Sequence, residues 1–449
     1  MRGLLARPQI PAASRAVGVS AFERRLCRRN EVLGEVRRGP SRPPPIGRWI
    51  TELHGLLLAG VLFFLPAGAQ AHDPSAWGGL FRSRDSGATW FPANEGRFVS
   101  GALALAISPT DGNHLLLATD SGLLRSRNGG RDWEVEAPAV LIGAVFAATF
   151  DKDGHRALAS TSSGIFRTDD GRAWRKTPAP DGVAPAHALV PGAVAGRVYL
   201  AGSRGLAHSE NWGESWSSAD GLPDGPVQVL VAASGPPEIV YAIIGGRIWA
   251  STDGAHTWQL RDAGIPDDAV DALALDPRKP ARLWAAGADR LFASDDRGES
   301  WYQVGRPLSE PNTSVRGIAV AASGPGIVLT THRGVFRSPD GGQRWEMLAD
   351  NLPVHLEAGP LVRDPVDPAT LYAGFALTPY GEIWRIAAEG GTLLSRVDPL
   401  SFVGAAIFLI VLVVGTVATL RWLARYYRTP ADIGSPSTRR RDRIGETVR

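Results

Sequence analysis

Two sets of side chains in this 449-residue chain could do chemistry. The first is six carboxylates, Asp220, Asp224, Asp267, Asp268, Glu310 and Glu357, set in polar stretches between apolar runs. Two carboxylates flanking a glycosidic bond are what glycoside hydrolysis requires, so these residues keep a glycosidase reading open. Turns also select Asp for its bonds to the backbone, which accounts for the same residues without catalysis. The second set is Arg204, Arg247, Arg290 and Arg333, which recur every 43 residues. Four guanidinium groups on one rim would form a basic arc that captures carboxylates, either of an acidic peptide segment or of a glycan. Chance recurrence of a turn Arg is the alternative.

The remaining chemistry is thin. None of Lys152, Lys176 and Lys279 follows a Gly, so no phosphate-cradling loop is expected. Neither a G-x-S-x-G elbow nor an H-E-x-x-H zinc helix occurs. DKDG (151–154) opens like a calcium loop, but Ser162 stands where the bidentate Glu is needed, so it reads as a turn between strands. No cofactor and no metal is expected. The single cysteine, Cys27, lies in the amino-terminal flank, so neither a disulfide nor thiol chemistry is expected of the rest. The whole chain has a formal net charge of +3, yet residues 72–399 hold 29 Lys and Arg against 38 Asp and Glu. An acidic body argues against nucleic acid as a partner.

The elements that must position these residues come from a repeat. Seven phrases share a Ser or Thr, an Asp-centred turn with Gly, and a closing Trp: SRDSGATW (83–90), SRNGGRDW (126–133), TDDGRAW (168–174), SENWGESW (209–216), STDGAHTW (251–258), SDDRGESW (294–301) and SPDGGQRW (338–345). Their tryptophans, Trp90, Trp133, Trp174, Trp216, Trp258, Trp301 and Trp345, lie 43, 41, 42, 42, 43 and 44 residues apart. Such a period marks stacked copies of one supersecondary unit. Each unit holds four short apolar runs, such as GALALAI (101–107), LLLAT (115–119) and GLLRS (122–126), with the fourth beginning at the Trp. Turns of Gly, Pro and Asp join them and helical spacing is absent, which predicts four-stranded antiparallel propeller blades. The first unit starts late, at WGGLFRS (77–83), and the last, around LVRDPVDPATLYAGF (361–375), lacks the turn. The predicted fold is therefore all-β: a seven-bladed propeller over 77–397, its last blade built from both ends of the repeat so that no sheet edge is left free. EIWRI (382–386) reads as a surplus strand and keeps eight blades as the alternative.

The phrase resembles the Asp-box, or bacterial neuraminidase repeat, S-x-D-x-G-x-x-W. The carboxylate accepts backbone N–H bonds, Gly permits positive φ, and Trp buries apolar surface. The resemblance implies a structural turn at the outer rim for Asp85, Asn128, Asp170, Asn211, Asp253, Asp296 and Asp340. Asn128 and Asn211 replace Asp and Ala255 replaces Gly, departures that a shared metal site or acid catalyst would not tolerate. The spacing and phrases such as GVFRSPDGGQRW (334–345) look most like the seven-bladed photosystem II stability and assembly factor family, which implies an arginine patch and a role in assembling a membrane complex. Related repeats occur in sialidases, xyloglucan-degrading propellers and sortilin-type receptors. The Arg-Ile-Pro of sialidases is missing, with Arg247-Ile248 and Arg385-Ile386 as the near matches.

The flanks carry the targeting signals. Residues 1–54 form a basic leader rich in Arg and Pro, read as unfolded. GLLLAGVLFFL followed by AGAQA, within 55–71, reads as a signal peptide cleaved after Ala71, with an uncleaved signal anchor as the alternative. Residues 37–71 already make a complete signal, so translation starting downstream of Met1 is a second alternative. Residues 400–420 are uncharged and long enough to cross a bilayer as a helix. Arg421, Arg425 and Arg428 lie among Trp422, Tyr426 and Tyr427 in the tail, 421–449, which places that tail in the cytoplasm and the propeller outside. The expected protein is a membrane-anchored, extracytoplasmic binding platform for a protein partner. The alternative is a glycosidase or glycan-binding propeller at the cell surface.

Overall fold

The computed structural model describes residues 78–180, 183–202, 205–266, 270–287, 289–388 and 399–426. The leader, the signal peptide and the tail from 427 onward lie outside the described residues, as do Arg204, Asp267 and Asp268. Seven four-stranded antiparallel sheets form the propeller. In the first blade the strands run in chain order, Ala102–Ser108, Asp111–Thr119, Gly122–Ser126 and Glu134–Val135. First strands of successive blades touch one another around the ring, and the seventh, Glu357–Arg363, touches the first, Ala102–Ser108. The seventh blade takes its inner strands, Glu357–Arg363 and Leu371–Ala376, from the end of the repeat and its outer strands, Gly79–Ser83 and Phe91–Pro92, from the start. Gly79 pairs with Phe375 and Ser83 with Leu371, so the closing seam is an ordinary antiparallel ladder.

Burial explains why these residues make these strands. A second strand lies between blades on both faces and must be apolar throughout, as in Ile239–Ile244, IVYAII, where every residue is buried. Fourth strands form the outer edge and are short and exposed, as in Glu134–Val135 and Gln259–Leu260. The fourth strand starts at the Trp only in the second blade, Trp174–Thr177, and one residue later elsewhere. Hydrophobic clusters lie between neighbouring blades: Leu80 and Tyr372 of the seventh pack with Leu115 and Trp133 of the first, and Tyr241 of the fourth with Leu283 and Trp301 of the fifth. In each such cluster the Trp of one blade meets the blade before it, so the aromatic holds the blades together in sequence.

The surplus strand is a helix. EIWRI belongs to α1, Tyr380–Ala388, which follows directly on the second strand of the seventh blade. That blade already holds four strands, so there is no eighth blade. Helical spacing was not absent from the region: Tyr380, Ile383 and Trp384 stand at i, i+3 and i+4, and Tyr380 and Ile383 are buried against Leu103 and Phe146. A second helix, α2, covers Pro399–Tyr426. Its side chains are described for 407–423, where the aliphatic residues are exposed. Among the described residues alone, no helix is long and apolar enough to cross a membrane.

Candidate functional site at the channel mouth

Antiparallel blades sort their connections to two ends of the ring. The turns between first and second strands share one end with the Trp-closed turns, as Gly129 N–H donating to Asn113 O at 3.0 Å shows. The loops between blades share the other with the turns joining second to third strands. There Leu308 N–H donates to Asp289 O at 2.8 Å, and Ser100 Oγ to Asp120 at 2.7 Å.

At the first end the repeated turn is built almost identically each time. Ser83 Oγ donates to Asp85 Oδ1 at 2.8 Å and accepts from Gly87 N–H at 2.8 Å, while Asp85 Oδ1 accepts from Thr89 N–H at 2.9 Å. Asn128 and Asn211 accept the corresponding bonds from Asp132 and Ser215 N–H, both at 2.9 Å. Two consecutive residues take positive φ in six of these turns, one in the shorter third copy, and Ala255 does so at 74° where other copies place Gly. Burial raises the Asp296 carboxyl, but the bonds from Ser300 and Ser294 outweigh it and hold the pKa at about 2. Each carboxylate is engaged by its own turn through Oδ1, which gives it a structural role there.

The opposite end is built from irregularity. In six of the blades the register between first and second strands slips at the start of the first strand. The residues skipped are Leu103, Phe146, His187, Gln228, Arg316 and the pair Gly359 and Pro360. Such a bulge re-aims a side chain out of the alternating pattern. In the fifth blade Asp271 holds the equivalent place, just before Ala272–Leu275. Except for Phe146, all of these residues line one cavity of about 640 Å³ at the channel mouth, together with Tyr380 and Trp384 of α1.

Helix α1 covers one side of that mouth. Its first turn is fixed by Glu357, which accepts Tyr380 N–H at 2.9 Å and pairs with Arg316 at 2.9 Å. The Arg316 guanidinium lies 4.9 Å from the Tyr380 ring centre, and Tyr380 Oη donates to Ala102 O at 2.7 Å. A Cβ on Gly359 would sit 2.1 Å from the Tyr380 ring, so the bulge needs glycine there to admit the helix. The Trp384 ring lies tilted against Phe146 at 5.0 Å and meets His187 edge-on at 5.4 Å. Leu103, Phe146, Arg316 and Gly359 are thereby occupied.

On the other side Gln228 and Asp271 follow on the next two blades, beside His187, which Trp384 meets on one flank. Burial drives the His187 pKa down to about 4, so the ring is neutral, and its buried Nε2 has no hydrogen-bond partner. Gln228 Oε1 accepts Gly246 N–H at 3.1 Å, which leaves its amide N–H groups to donate. Burial pushes the Asp271 carboxyl above its usual range, despite hydrogen bonds from Ser314 and Val315. The mouth thus offers acceptors and donors beside an apolar wall.

The described residues singled out from sequence do not line this cavity. Arg247 donates to Asp262 at 2.7 Å, which neutralises it within its own blade. Arg290 and Arg333 are exposed at the mouth end, and Arg333 reaches Pro311 O at 3.5 Å. Among the described residues Arg247, Arg290 and Arg333 share the mouth end, Arg247 with its charge balanced by Asp262. Asp220 and Asp224 are exposed on the loop leading into the fourth blade and Glu310 on the loop leading into the sixth, and Glu357 is committed to Arg316 and α1. No cluster of three or more His, Cys, Asp or Glu that could hold a metal occurs among the described residues. The mouth residues were missed because they differ in type, although they recur 41 to 45 residues apart, as the tryptophans do.

No family model matches the chain, and no curated protein does. Solved structures do. A GH74 xyloglucanase from Xanthomonas campestris is 22% identical with a TM-score of 0.51, over 60% of this chain and 50% of that one. The extracellular domain of a hybrid two-component system protein from B. thetaiotaomicron is 12% identical with a TM-score of 0.50, over 62% of this chain and 38% of that one. YCF48 bound to D1 peptide is 17% identical with a TM-score of 0.46, over 62% of this chain and 94% of that one. At such identities the likeness is one of fold, the seven-bladed propeller.

Proposed function

We propose that this propeller is a binding module that takes a segment of a protein partner at the channel mouth, and that α2 holds it to a membrane with the ring outside and the tail in the cytoplasm. The observation that carries the reading is the makeup of the mouth. His187, Gln228 and Asp271 converge on one cavity beside the apolar face of Trp384, a mixture suited to a peptide with amide donors and one apolar side chain. The described acids of the mouth do not form a free pair: Glu357 is bound to Arg316 while Asp271 is held by Ser314 and Val315. A hydrolase with two working carboxylates is thereby disfavoured. The anchoring half rests on the uncharged run 400–420 and the arginines that follow it. Assistance to the assembly or stability of a membrane complex belongs to the same proposal.

The test is capture from detergent-solubilised membranes. The triple variant His187→Leu, Gln228→Ala, Asp271→Leu should lose the partner that the native chain retains, while its circular dichroism stays that of a folded ring. Equal retention by the folded variant would sink the mouth as the binding site. Hydrolysis of a sialoside or glucan panel by the purified propeller would sink the non-enzymatic reading.

A further inference from the structure

The channel-mouth end is uneven around its circumference. Three consecutive interblade loops, those leading into the seventh, first and second blades, expose large apolar side chains. Val354 is exposed in the first of them, Phe98 in the second at 65%, and Val140 with Ile142 in the third, Ile142 at 70%. Leu377, where the chain leaves the seventh blade for α1, is exposed beside them. The loops on the far side, leading into the fourth and sixth blades, expose charged residues instead, Asp220 and Asp224 on the one and Arg306 and Glu310 on the other. The apolar half is also the half from which the chain departs. Helix α1 begins at Tyr380 against Ala102 and Gly359, and by Trp384 has reached Phe146 of the second blade. Apolar side chains concentrated on one arc of a ring demand a cover.

Chain length says what that cover is. Only residues 389–398 separate α1 from α2, and fully extended they reach about 36 Å at roughly 3.6 Å per residue. If α2 crosses a bilayer, the end of α1 cannot lie farther from that bilayer than this tether, which keeps the end of the ring that carries α1 near the surface. We infer that the mouth end faces the membrane and that Phe98, Val140, Ile142, Val354 and Leu377 dip into the lipid interface, tilting the ring so that the charged half, with Asp220, Asp224 and Glu310 beside Arg290, Arg306 and Arg333, stands clear. This rests on the anchoring reading of α2. Exposed Glu95 and Asp350 flank the apolar residues and set a limit to the depth, so the contact is with the headgroup boundary, within about 5–10 Å of it. An open mouth held at that level would meet the loops of proteins in the same membrane rather than free soluble chains.

The test uses the full chain with Cys27→Ser, reconstituted in vesicles of phosphatidylcholine with phosphatidylglycerol. An environment-sensitive probe is placed at Ile142→Cys, Phe98→Cys, Asp224→Cys or Val194→Cys, the last on the opposite end. Probes at Ile142 and Phe98 should shift to the blue and lose fluorescence to shallow spin-labelled lipid, the Asp224 probe should do so weakly, and the Val194 probe not at all. Flotation with the vesicles and resistance to alkaline extraction report anchoring separately. An anchored chain whose Ile142 probe is quenched no more than its Val194 probe overturns the inference and leaves the anchor standing. Equal quenching at Ile142 and Asp224 overturns the tilt. A chain that fails to float refutes the anchor, and this inference with it. Shielding of Ile142 that appears only when a membrane protein is added would assign the arc to a protein instead and overturn the lipid contact.

Discussion

The two ends of the ring share one seven-fold spacing and use it in opposite ways. At one end the position carries the same chemistry in every copy: a hydroxyl, a carboxylate or amide, left-handed backbone and a Trp against the preceding blade. At the other end equivalent positions hold Leu103, Phe146, His187, Gln228, Asp271, Arg316 and Gly359, different in every blade. Uniformity belongs where each copy solves the same packing problem. Variety belongs where seven positions converge on one space and each must contribute something the others do not.

The comparison is broken most forcefully at the uniform end. Trp90, buried between the sixth and seventh blades beside the seam, should cost about 3–5 kcal/mol on replacement by Ala. Urea unfolding would measure it, and the fraction that stays folded should bind normally at the mouth. A loss of binding without a loss of stability would mean that the uniform end is not merely structural.

At the variable end the largest stability signature is a pH dependence. The His187 pKa is about 4 in the fold against an ordinary 6.5, so between these values the unfolded chain binds a proton that the folded chain refuses. Stability from this residue is intact above pH 6.5 and is lost as pH falls toward 4. The loss by pH 4.5 should be about 2–3 kcal/mol and absent in His187→Gln. Parallel acid-unfolding curves for the two proteins would contradict the buried, neutral imidazole.

The smallest effects come from a pair of opposite substitutions. Gly359→Ala drives a Cβ into the Tyr380 ring and should cost about 1–3 kcal/mol while loosening α1, seen as faster amide exchange in that helix. Ala255→Gly relieves a positive φ in the repeated turn and should gain up to about 1 kcal/mol with α1 unaffected. Equal responses in α1 would erase the distinction between the two ends.

Much of the scaffold was legible in the chain itself. The Trp period gave the blade count because each Trp must bury itself against the preceding blade. The truncated first unit gave the composite seventh blade because a ring leaves no edge unpaired. EIWRI was misread because a short apolar run suits a strand or a helix equally. Its fate was decided by the seventh blade, whose outer positions were already filled by Gly79–Ser83 and Phe91–Pro92.

The candidate site was not legible in the same way. Arg204, Arg247, Arg290 and Arg333 stood out because they are identical, but Arg247 is spent on Asp262 within its own blade. Periodicity along one strand could place a residue on a face, so the sequence determined which side chains pack between blades and where the turns fall. Only the closed ring decided what meets at its centre. His187, Gln228 and Asp271 lie 41 and 43 residues apart along the chain and line one cavity because first strands converge on an axis, where bulges place His187 and Gln228 and the start of the fifth blade's first strand places Asp271.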